Sequence, residues 1–330
     1  MAAGKPKRPG EFALIERYFR PLATDPGAFG LVDDAALYAP PRGEELVLTV
    51  DTIAAGVHFF ADDPPAAIAR KALRVNLSDL AAKGATPAAY LMSLALPDGW
   101  TEAWVRAFTK GLADDQRRFG ISLLGGDTTR ASGGLTLTIT AIGCVPKGKM
   151  VHRAGAKAGD VVFVSGTVGD AALGLGVRLG TVAAPKAAAA YLRDRYLNPQ
   201  PRTKLAPLIR RFATSAMDVS DGLVGDLAHI CKASGVGAEI EAASVPLSRQ
   251  ARAVIAGNER AFGTALTGGD DYEILATVTK SRAGRYAAAA RSAGVPVARI
   301  GRIVEGAGPP VVLGPDGRPM AFSGLGHTHF

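Results

Sequence analysis

Aspartates recur in this sequence in short segments that join an apolar stretch to a glycine or a turn residue. The segment MDVSDGL, residues 217–223, holds Asp218 and Asp221 three positions apart. The segments VDDAA, TVDT, NLSD and GGDTT supply the others, namely Asp33, Asp34, Asp51, Asp79 and Asp127. Each aspartate alone is typical of a turn or a helix cap. Together they need cations or hydrogen bonds, because a carboxylate at the edge of a core is costly to leave unpaired.

A hard divalent cation is the simplest partner for this set, since the lysines and arginines are scattered along the chain. Magnesium takes oxygen ligands, uses few protein carboxylates per ion, and completes its shell with water and phosphate oxygens. The aspartates therefore predict more than one magnesium ion holding a polyphosphate. No side chain stands out as a general base.

The segment around Asp218 predicts a strand that changes into a helix. Ser220 is a good N-cap residue, and Gly235 is a good end for the helix. Between them lies an apolar stripe at helical spacing, formed by Leu223, Val224, Leu227, Ile230 and Cys231. This pattern places Asp221 in the first helical turn and Asp218 just before it. Free backbone N–H groups at a helix N-terminus would also favour a metal–phosphate assembly there.

The elements that must position these residues mix strands and helices in both halves of the chain. Periodicity and end signals predict helices over 11–22, 64–84, 101–120, 169–180, 221–235 and 281–294. They predict strands over 45–53, 88–97, 121–126, 134–145, 161–166 and 298–306, and a strand, loop and strand over 264–279. The mixture predicts an α+β fold with two domains, 1–150 and 151–330, divided in a segment rich in Lys, Gly and Pro. NLSDL resembles DVSDGL and GGD occurs twice, so two related halves and a chance match both stay open.

Composition and charge exclude several classes of protein. The 330 residues are 48% hydrophobic and 21% charged, which is typical of a globular chain. The net charge is +8, but the basic residues form no long run and no block with aromatic residues, which argues against nucleic acid and favours small anions. Cys144 and Cys231 lack the spacing of a zinc site or a disulfide framework. No apolar run reaches the length of a membrane span and no signal peptide is recognisable, so we expect no membrane contact and a cytoplasmic protein.

The motifs taken in order resemble those of a known family. They are VDDAA, VDTIAAGVHF, RVNLSDLAAKGATP, LLGGDTT, HRAGAKAGD, SGTVGD, MDVSDGL and GGDDYEI. This order is similar to that of the thiamine-phosphate kinases, which belong to the aminoimidazole-ribonucleotide synthetase-like superfamily of ATP-using enzymes. The resemblance covers about residues 11–330, and GVHF and GGDDYE favour the thiamine branch over its relatives.

The resemblance implies that ATP donates its γ-phosphoryl group to thiamine phosphate, with several Mg²⁺ ions bound and a K⁺ requirement left open. The metal ligands that it implies are Asp33, Asp51, Thr52, Asp79, Asp127, Asp218 and Asp221. The ATP-contacting positions are Gly126, Asp127, Arg153 and Ser220, and the substrate-contacting positions are His58 and Asp270. It also implies a mixed sheet packed with helices in each domain. The N-terminal domain would bind metal and nucleotide and form a homodimer, and the C-terminal domain would complete the ATP and substrate site.

The chemistry of the residues agrees with this reaction. A phosphate monoester has a second pKa of about 6 and is largely dianionic at neutral pH, so it can accept a phosphoryl group without a general base. The obstacle is repulsion between two polyanions, which metal ions relieve while they align the reactants. The chain departs from the family pattern in three places, since Val32 replaces a glycine, Lys83 replaces a methionine and Asp270 shortens a glutamate. The C-terminal GLGHTHF matches the aromatic ending of the family only loosely, so no residue is assigned there.

Two alternatives remain beside this hypothesis. A selenophosphate synthetase-like or hydrogenase-maturation-like enzyme of the same superfamily would have a reactive cysteine near its N-terminus or a cysteine at its C-terminus, and the chain has neither. A non-catalytic nucleotide-binding relative would have lost several of the aspartates, and none is missing.

Overall fold

The computed structural model describes residues 8–258, 260–322, 324 and 326. The chain forms two compact units. Unit 1 comprises Met1–Asn76 and Pro87–Cys144, and unit 2 comprises Leu77–Thr86 together with Val145–Phe330. The mixture of helices and two sheets confirms the predicted α+β class. Within the described residues, no helix combines the length and the apolar character that crossing a membrane requires.

Unit 1 is built on a four-stranded sheet with the order β1–β4–β2–β3. Its elements in chain order are α1 (Glu11–Leu14), β1 (Glu44–Ala54), α2 (Pro65–Ala82), β2 (Thr86–Leu96), α3 (Glu102–Phe119), β3 (Ser122–Arg130) and β4 (Thr136–Pro146), and the last residues of α2, from Leu77 on, belong to unit 2. Helix α3 has the predicted ends: the Thr101 side chain accepts a hydrogen bond from the Trp104 N–H, and Gly120 ends the helix in the left-handed conformation. Strands β2 and β3 are parallel.

The two faces of β1 differ in exposure. Val47 and Ile53 are buried in the core of unit 1, whereas Leu48 and Val50 are 61% and 59% exposed. This is the alternation that a strand with one covered face shows. The side of β1 that carries Leu48 and Val50 therefore remains apolar and uncovered within one chain.

Unit 2 is built on a six-stranded sheet with the order β10–β7–β9–β5–β8–β6. Its strands are β5 (Val161–Ser165), β6 (Ala213–Asp218), β7 (Gly237–Glu241), β8 (Ile274–Val278), β9 (Val297–Val304) and β10 (Val311–Leu313). Its helices are α4 (Asp170–Leu179), α5 (Lys186–Leu197), α6 (Ala206–Phe212), α7 (Leu223–Ser234), α8 (Arg249–Ile255), α9 (Arg260–Thr267) and α10 (Lys280–Ser292). The sheet is mixed, because β10 pairs with β7 in parallel, whereas β5 pairs antiparallel with both β8 and β9.

One predicted element is wrong. The strand expected at the start of 264–279 is instead the end of α9. Ala261 and Ala265 lie four positions apart and both are buried, which is the spacing of a helix face rather than of a strand. The second strand of that segment is β8, as predicted.

Candidate active site

Unit 1 contains a cavity of about 980 Å³ that gathers several of the predicted site residues. Asp33, Gly126 and Asp127 line it, together with the aromatic side chains of Phe12 and Tyr38. Asp33 and Asp127 are exposed, so their carboxylates are accessible from solvent. The structure therefore brings two predicted metal ligands, Asp33 and Asp127, to one place with Gly126, and Gly126 and Asp127 are also predicted nucleotide-contacting positions.

Asp33 stands at the end of an irregular helical segment, Pro26–Leu31. Phe29, Gly30 and Leu31 all have left-handed backbone angles, and the Asp33 Oδ1 accepts a hydrogen bond of 2.8 Å from the Asp34 N–H. Val32 has φ −106°, an angle that any residue adopts. The valine that replaces the family's glycine therefore needs no change of the backbone.

Asp127 is positioned by the close approach of two strands. Gly126 on β3 lies opposite Met92 on β2, and a Cβ at Gly126 would come 1.8 Å from the Met92 carbonyl oxygen. Only glycine fits there without moving a strand. The next residue, Asp127, is thereby held opposite Ser93 at the edge of the sheet.

Asp51 and Thr52 are adjacent on β1, and successive side chains on a strand point to opposite faces. The Thr52 hydroxyl lies 2.8 Å from the Thr138 hydroxyl on the face that carries Leu48 and Val50. The structure therefore does not bring the side chains of these two predicted metal ligands to one point. Among the described residues that line the cavity, neither Asp51 nor Thr52 is present.

His58 is fixed just after β1. Its Nδ1 accepts a hydrogen bond of 3.1 Å from the Ala54 N–H, and its backbone oxygen accepts one of 2.8 Å from the Lys71 ammonium. Because Nδ1 is the acceptor, a neutral His58 carries its proton on Nε2. A neutral His58 can therefore donate a hydrogen bond only through Nε2.

Asp79 and Asp218 come together in unit 2 around a lysine that the sequence did not single out as a site residue. The Lys83 ammonium donates a hydrogen bond of 2.8 Å to the Ala216 carbonyl oxygen, two residues before Asp218. Burial is the largest effect and lowers the pKa of Lys83. The charges of Asp218 and Asp79 raise this pKa, whereas the charge of Arg153 lowers it further. Two predicted metal ligands and one predicted ATP-contacting residue therefore carry charges close enough to the Lys83 ammonium to shift its pKa.

The turn after β6 differs from the prediction that Ser220 caps the helix. Helix α7 begins at Leu223 with Gly222 as its N-cap, and Asp221 precedes the helix instead of lying in its first turn. The backbone N–H groups of Ser220 and Asp221 donate hydrogen bonds of 3.0 Å to the Asp226 Oδ2. The carboxylate that fixes this turn therefore lies inside the helix, which is why the prediction was wrong. The predicted end of the helix at Gly235 is confirmed.

Asp270 lies against the same turn. Its N–H donates a hydrogen bond of 2.8 Å to the Ser220 carbonyl oxygen, and the Tyr272 N–H donates one of 2.8 Å to the Val219 carbonyl oxygen. Asp270 and Tyr272 have φ values of 73° and 52°, the left-handed region that residues other than glycine rarely adopt. The structure thus places a predicted substrate-contacting residue next to a predicted ATP-contacting residue and strains the backbone there.

Two buried acids hold this strained loop in place. Asp271 accepts hydrogen bonds from the Gly169 N–H at 2.5 Å and the Ala171 N–H at 3.2 Å at the start of α4, and burial raises the pKa of Asp271 well above its ordinary value. Glu273 is fully buried and accepts hydrogen bonds from Ser165, Arg195 and Arg202. Sequence reasoning missed both acids, because their partners lie far away along the chain.

Asp226 is the most informative residue that the sequence analysis missed. It is fully buried, and burial raises its pKa from 3.8 to about 7, while backbone hydrogen bonds from Asp221 lower the pKa and the charge of Asp221 raises it. A signal was available, since Asp226 interrupts the apolar stripe of Leu223, Leu227 and Ile230. A lone acid in such a stripe indicates a carboxylate with a structural or chemical role.

The donor atoms fit magnesium. Asp33, Asp127 and Asp221 offer carboxylate oxygens, and within the part of the chain that the structure describes none of them forms an ion pair with lysine or arginine. Asp221 also faces a second carboxylate, that of Asp226, and their repulsion favours a cation nearby. Oxygen-only donor sets are those that Mg²⁺ prefers.

Comparison with known proteins assigns the chain to a family. The model of the N-terminal domain of AIR synthase related proteins matches residues 32–145, and that of their C-terminal domain matches residues 157–314. Thiamine-monophosphate kinase of Caulobacter vibrioides is 44% identical over 325 residues, which are 97% of this chain and 91% of that protein.

Two solved structures agree. The crystal structure of thiamine-monophosphate kinase from Stenotrophomonas maltophilia K279a is 42% identical with a TM-score of 0.83, over 94% of this chain and 98% of that one. AaThiL complexed with AMPPCP and TMP is 31% identical with a TM-score of 0.76, over 99% of this chain and 100% of that one. The chain therefore belongs to the thiamine-monophosphate kinase family of enzymes, within the AIR synthase related proteins.

Proposed function

We propose that this chain transfers the γ-phosphoryl group of ATP directly to thiamine phosphate and forms thiamine diphosphate. The observation that carries the proposal is the arrangement in unit 2. The charges of Asp79, Asp218 and Arg153 all act on the Lys83 ammonium, and the Asp270 N–H donates a hydrogen bond to the Ser220 carbonyl oxygen. The relatives' names and the AaThiL complex with AMPPCP and TMP support the same donor and acceptor.

Mg²⁺, when bound, would neutralise the phosphate charges and lower the repulsion between donor and acceptor. The residues that would hold the ions are Asp33, Asp51, Thr52, Asp79, Asp127, Asp218 and Asp221. The geometry of β1 restricts this set: if Asp51 binds through its side chain, Thr52 must bind the same ion through its backbone oxygen. A K⁺ ion remains part of the proposal only as an additional charge-neutralising ion.

The remaining residues bind and orient the two substrates. Gly126 and Asp127 in the first half and Arg153 and Ser220 in the second would contact ATP. The closeness of the β2 backbone to Gly126 leaves no room for a side chain there, so Gly126 would contact ATP through its own backbone.

His58 and Asp270 would contact thiamine phosphate. His58 would donate a hydrogen bond from Nε2, since its Nδ1 accepts one from the Ala54 N–H. The Asp270 carboxylate would face the positively charged thiazolium ring. No side chain is needed as a base, because the acceptor phosphate is largely dianionic at neutral pH.

We further propose that residues 1–150 and 151–330 act as domains with different roles and that the protein is a homodimer. The first would bind metal and nucleotide and form the dimer, and the second would complete the binding of ATP and substrate. The exposed apolar side chains of Leu48 and Val50 support a second copy as the partner of β1.

The proposal is tested by incubating the protein with ATP, MgCl₂ and thiamine phosphate and separating the thiamine esters by chromatography. We expect thiamine diphosphate as the product. Asp218→Asn and Asp221→Asn should each lower kcat/KM by about 100-fold or more, because each removes a carboxylate ligand of the Mg²⁺ that would neutralise phosphate charge. The exposed Asp316→Asn serves as a matched control and should leave the rate unchanged.

Absence of thiamine diphosphate would refute the proposed reaction. Equal turnover with unrelated phosphate monoesters would refute the acceptor. Near-normal activity of the Asp218 or Asp221 variant at low magnesium would refute the metal role of that aspartate.

A further inference from the structure

Three side chains converge at the beginning of α7, and only one of them, Asp221, is among the proposed magnesium ligands. One ligand atom each from Asp221, Asp226 and His229 lies within 4.8 Å of the other two. Asp226 and His229 are three residues apart on α7 and share a face of the helix, while Asp221 reaches the same point from the preceding turn. His229 is exposed and Asp226 is fully buried, so the group opens to solvent on one side.

The Asp226 carboxylate has one oxygen in use and one oxygen without a partner. Its Oδ2 accepts the two hydrogen bonds from the N–H groups of Ser220 and Asp221. Its Oδ1 is buried and has no hydrogen-bond partner among the residues that the structure describes. Leaving a buried acceptor unpaired is costly, and a bound ion is one of the occupants that account for such an atom.

The donor set selects the kind of ion. Magnesium and calcium prefer oxygen ligands alone, whereas an imidazole nitrogen with two carboxylates suits first-row transition metals. Three protein ligands with an open position for water are also a common arrangement for zinc.

We propose that Asp221, Asp226 and His229 form a binding site for a divalent transition-metal ion of the Zn²⁺ or Co²⁺ type. The inference goes beyond the proposed function, since the ion would bind without nucleotide or thiamine phosphate. An ion in this site ties the Asp221 side chain to α7. It thereby fixes the turn that follows Asp218 and carries Ser220.

The site is tested with Co²⁺ as the probe on the full chain, after treatment with a chelator and in a large excess of Mg²⁺. The excess Mg²⁺ occupies the oxygen-only sites, whereas at Asp221, which both proposals use, the imidazole of His229 favours Co²⁺ over Mg²⁺, so that saturable Co²⁺ binding reports the site with imidazole. We expect one Co²⁺ per chain, visible absorption bands of bound Co²⁺, and a paramagnetically shifted imidazole N–H signal in the proton NMR spectrum.

Variants assign the binding to these residues. His229→Ala should weaken Co²⁺ binding by roughly tenfold or more and remove the shifted imidazole signal. Asp226→Asn should also weaken binding. His152→Ala removes another exposed histidine of unit 2 and should leave both the affinity and the signal unchanged.

The proposal is overturned if no saturable Co²⁺ binding occurs in excess Mg²⁺, or if His229→Ala binds Co²⁺ as tightly as the unmodified chain. His229 is exposed, so its replacement tests the site even if Asp226→Asn fails to fold. The binding experiment contains neither ATP nor thiamine phosphate. A negative result therefore leaves the proposed kinase reaction to be judged by its own assay.

Discussion

Replacing Asp226 by asparagine removes a carboxyl group whose pKa the fold raises. Burial, the main cause, moves that pKa from 3.8 to about 7. The folded protein then keeps the proton while the unfolded chain releases it, so rising pH favours unfolding through this residue. The loss of stability begins above the unfolded value of 3.8 and is complete once the pH has passed the folded value of about 7.

The magnitude follows from the size of the shift. One pKa unit corresponds to about 1.4 kcal/mol, so this residue should lower the free energy of unfolding by about 4 kcal/mol between roughly pH 4 and pH 8. Asparagine has no such titration. Its oxygen can still accept the hydrogen bonds from Ser220 and Asp221, and its amide nitrogen would take the place of Oδ1, where an unpaired donor costs about 1–3 kcal/mol at any pH.

The assay is urea unfolding of the chelator-treated protein over this pH range, with the unmodified chain and Asp226→Asn measured side by side. We expect the stability of the unmodified chain relative to the variant to fall by about 4 kcal/mol as the pH rises. The exposed Asp194→Asn is the control, and its stability should run parallel to that of the unmodified chain. Parallel curves for Asp226→Asn would refute the reasoning, because they would mean that folding does not shift this pKa.

Three further outcomes test other parts of the structure. Gly126→Ala should destabilise unit 1 by about 1–3 kcal/mol in thermal unfolding, because its Cβ would overlap a backbone oxygen of β2, whereas Gly99→Ala, with open space around it, should not. Lys83→Met should lower the Mg²⁺ concentration at half-maximal velocity, since it removes a positive charge beside two proposed ligands. The exposed Lys232→Met is its control, and an unchanged Mg²⁺ dependence of Lys83→Met would contradict the charge effect. Leu48→Asp should convert the proposed dimer to a monomer in light scattering, and a monomeric parent chain would contradict the dimer.

Local signals in the sequence predicted much of the fold. Thr101 and Gly120 mark the two ends of α3 because capping depends on residues within one turn. The segment GGDTT likewise shows a carboxylate next to two glycines, and the structure places Gly126 and Asp127 on one cavity. Such features need only neighbouring residues and are therefore visible in a single sequence.

The parts that sequence reasoning missed depend on contacts between distant residues. Asp271 accepts a hydrogen bond from the Gly169 N–H, and no local sequence pattern connects these two residues. Ser220 has the residue type and the position expected of a helix cap. The Asp226 carboxylate, however, accepts hydrogen bonds from the N–H groups of Ser220 and Asp221, and α7 begins only at Leu223. Asp33, Gly126 and Asp127 line one cavity, and Asp79, Asp218 and Arg153 carry charges close to Lys83. The side chains of Asp51 and Thr52 point to opposite faces of β1, and their roles and that of His58 stay predictions.

The loop that carries Asp270 has a consequence for how the acceptor preference of such an enzyme could evolve. Its position is set by hydrogen bonds between backbone atoms of Asp270 and Tyr272 and those of Ser220 and Val219, so a new side chain at 270 need not move the loop. The backbone angle narrows the choice, however, because φ 73° suits glycine, asparagine and aspartate better than longer side chains. Aspartate at this position thus combines a short carboxylate with a backbone angle that it tolerates better than glutamate does, so the backbone angle in this loop restricts the choice of side chain at 270 more than its hydrogen bonds do.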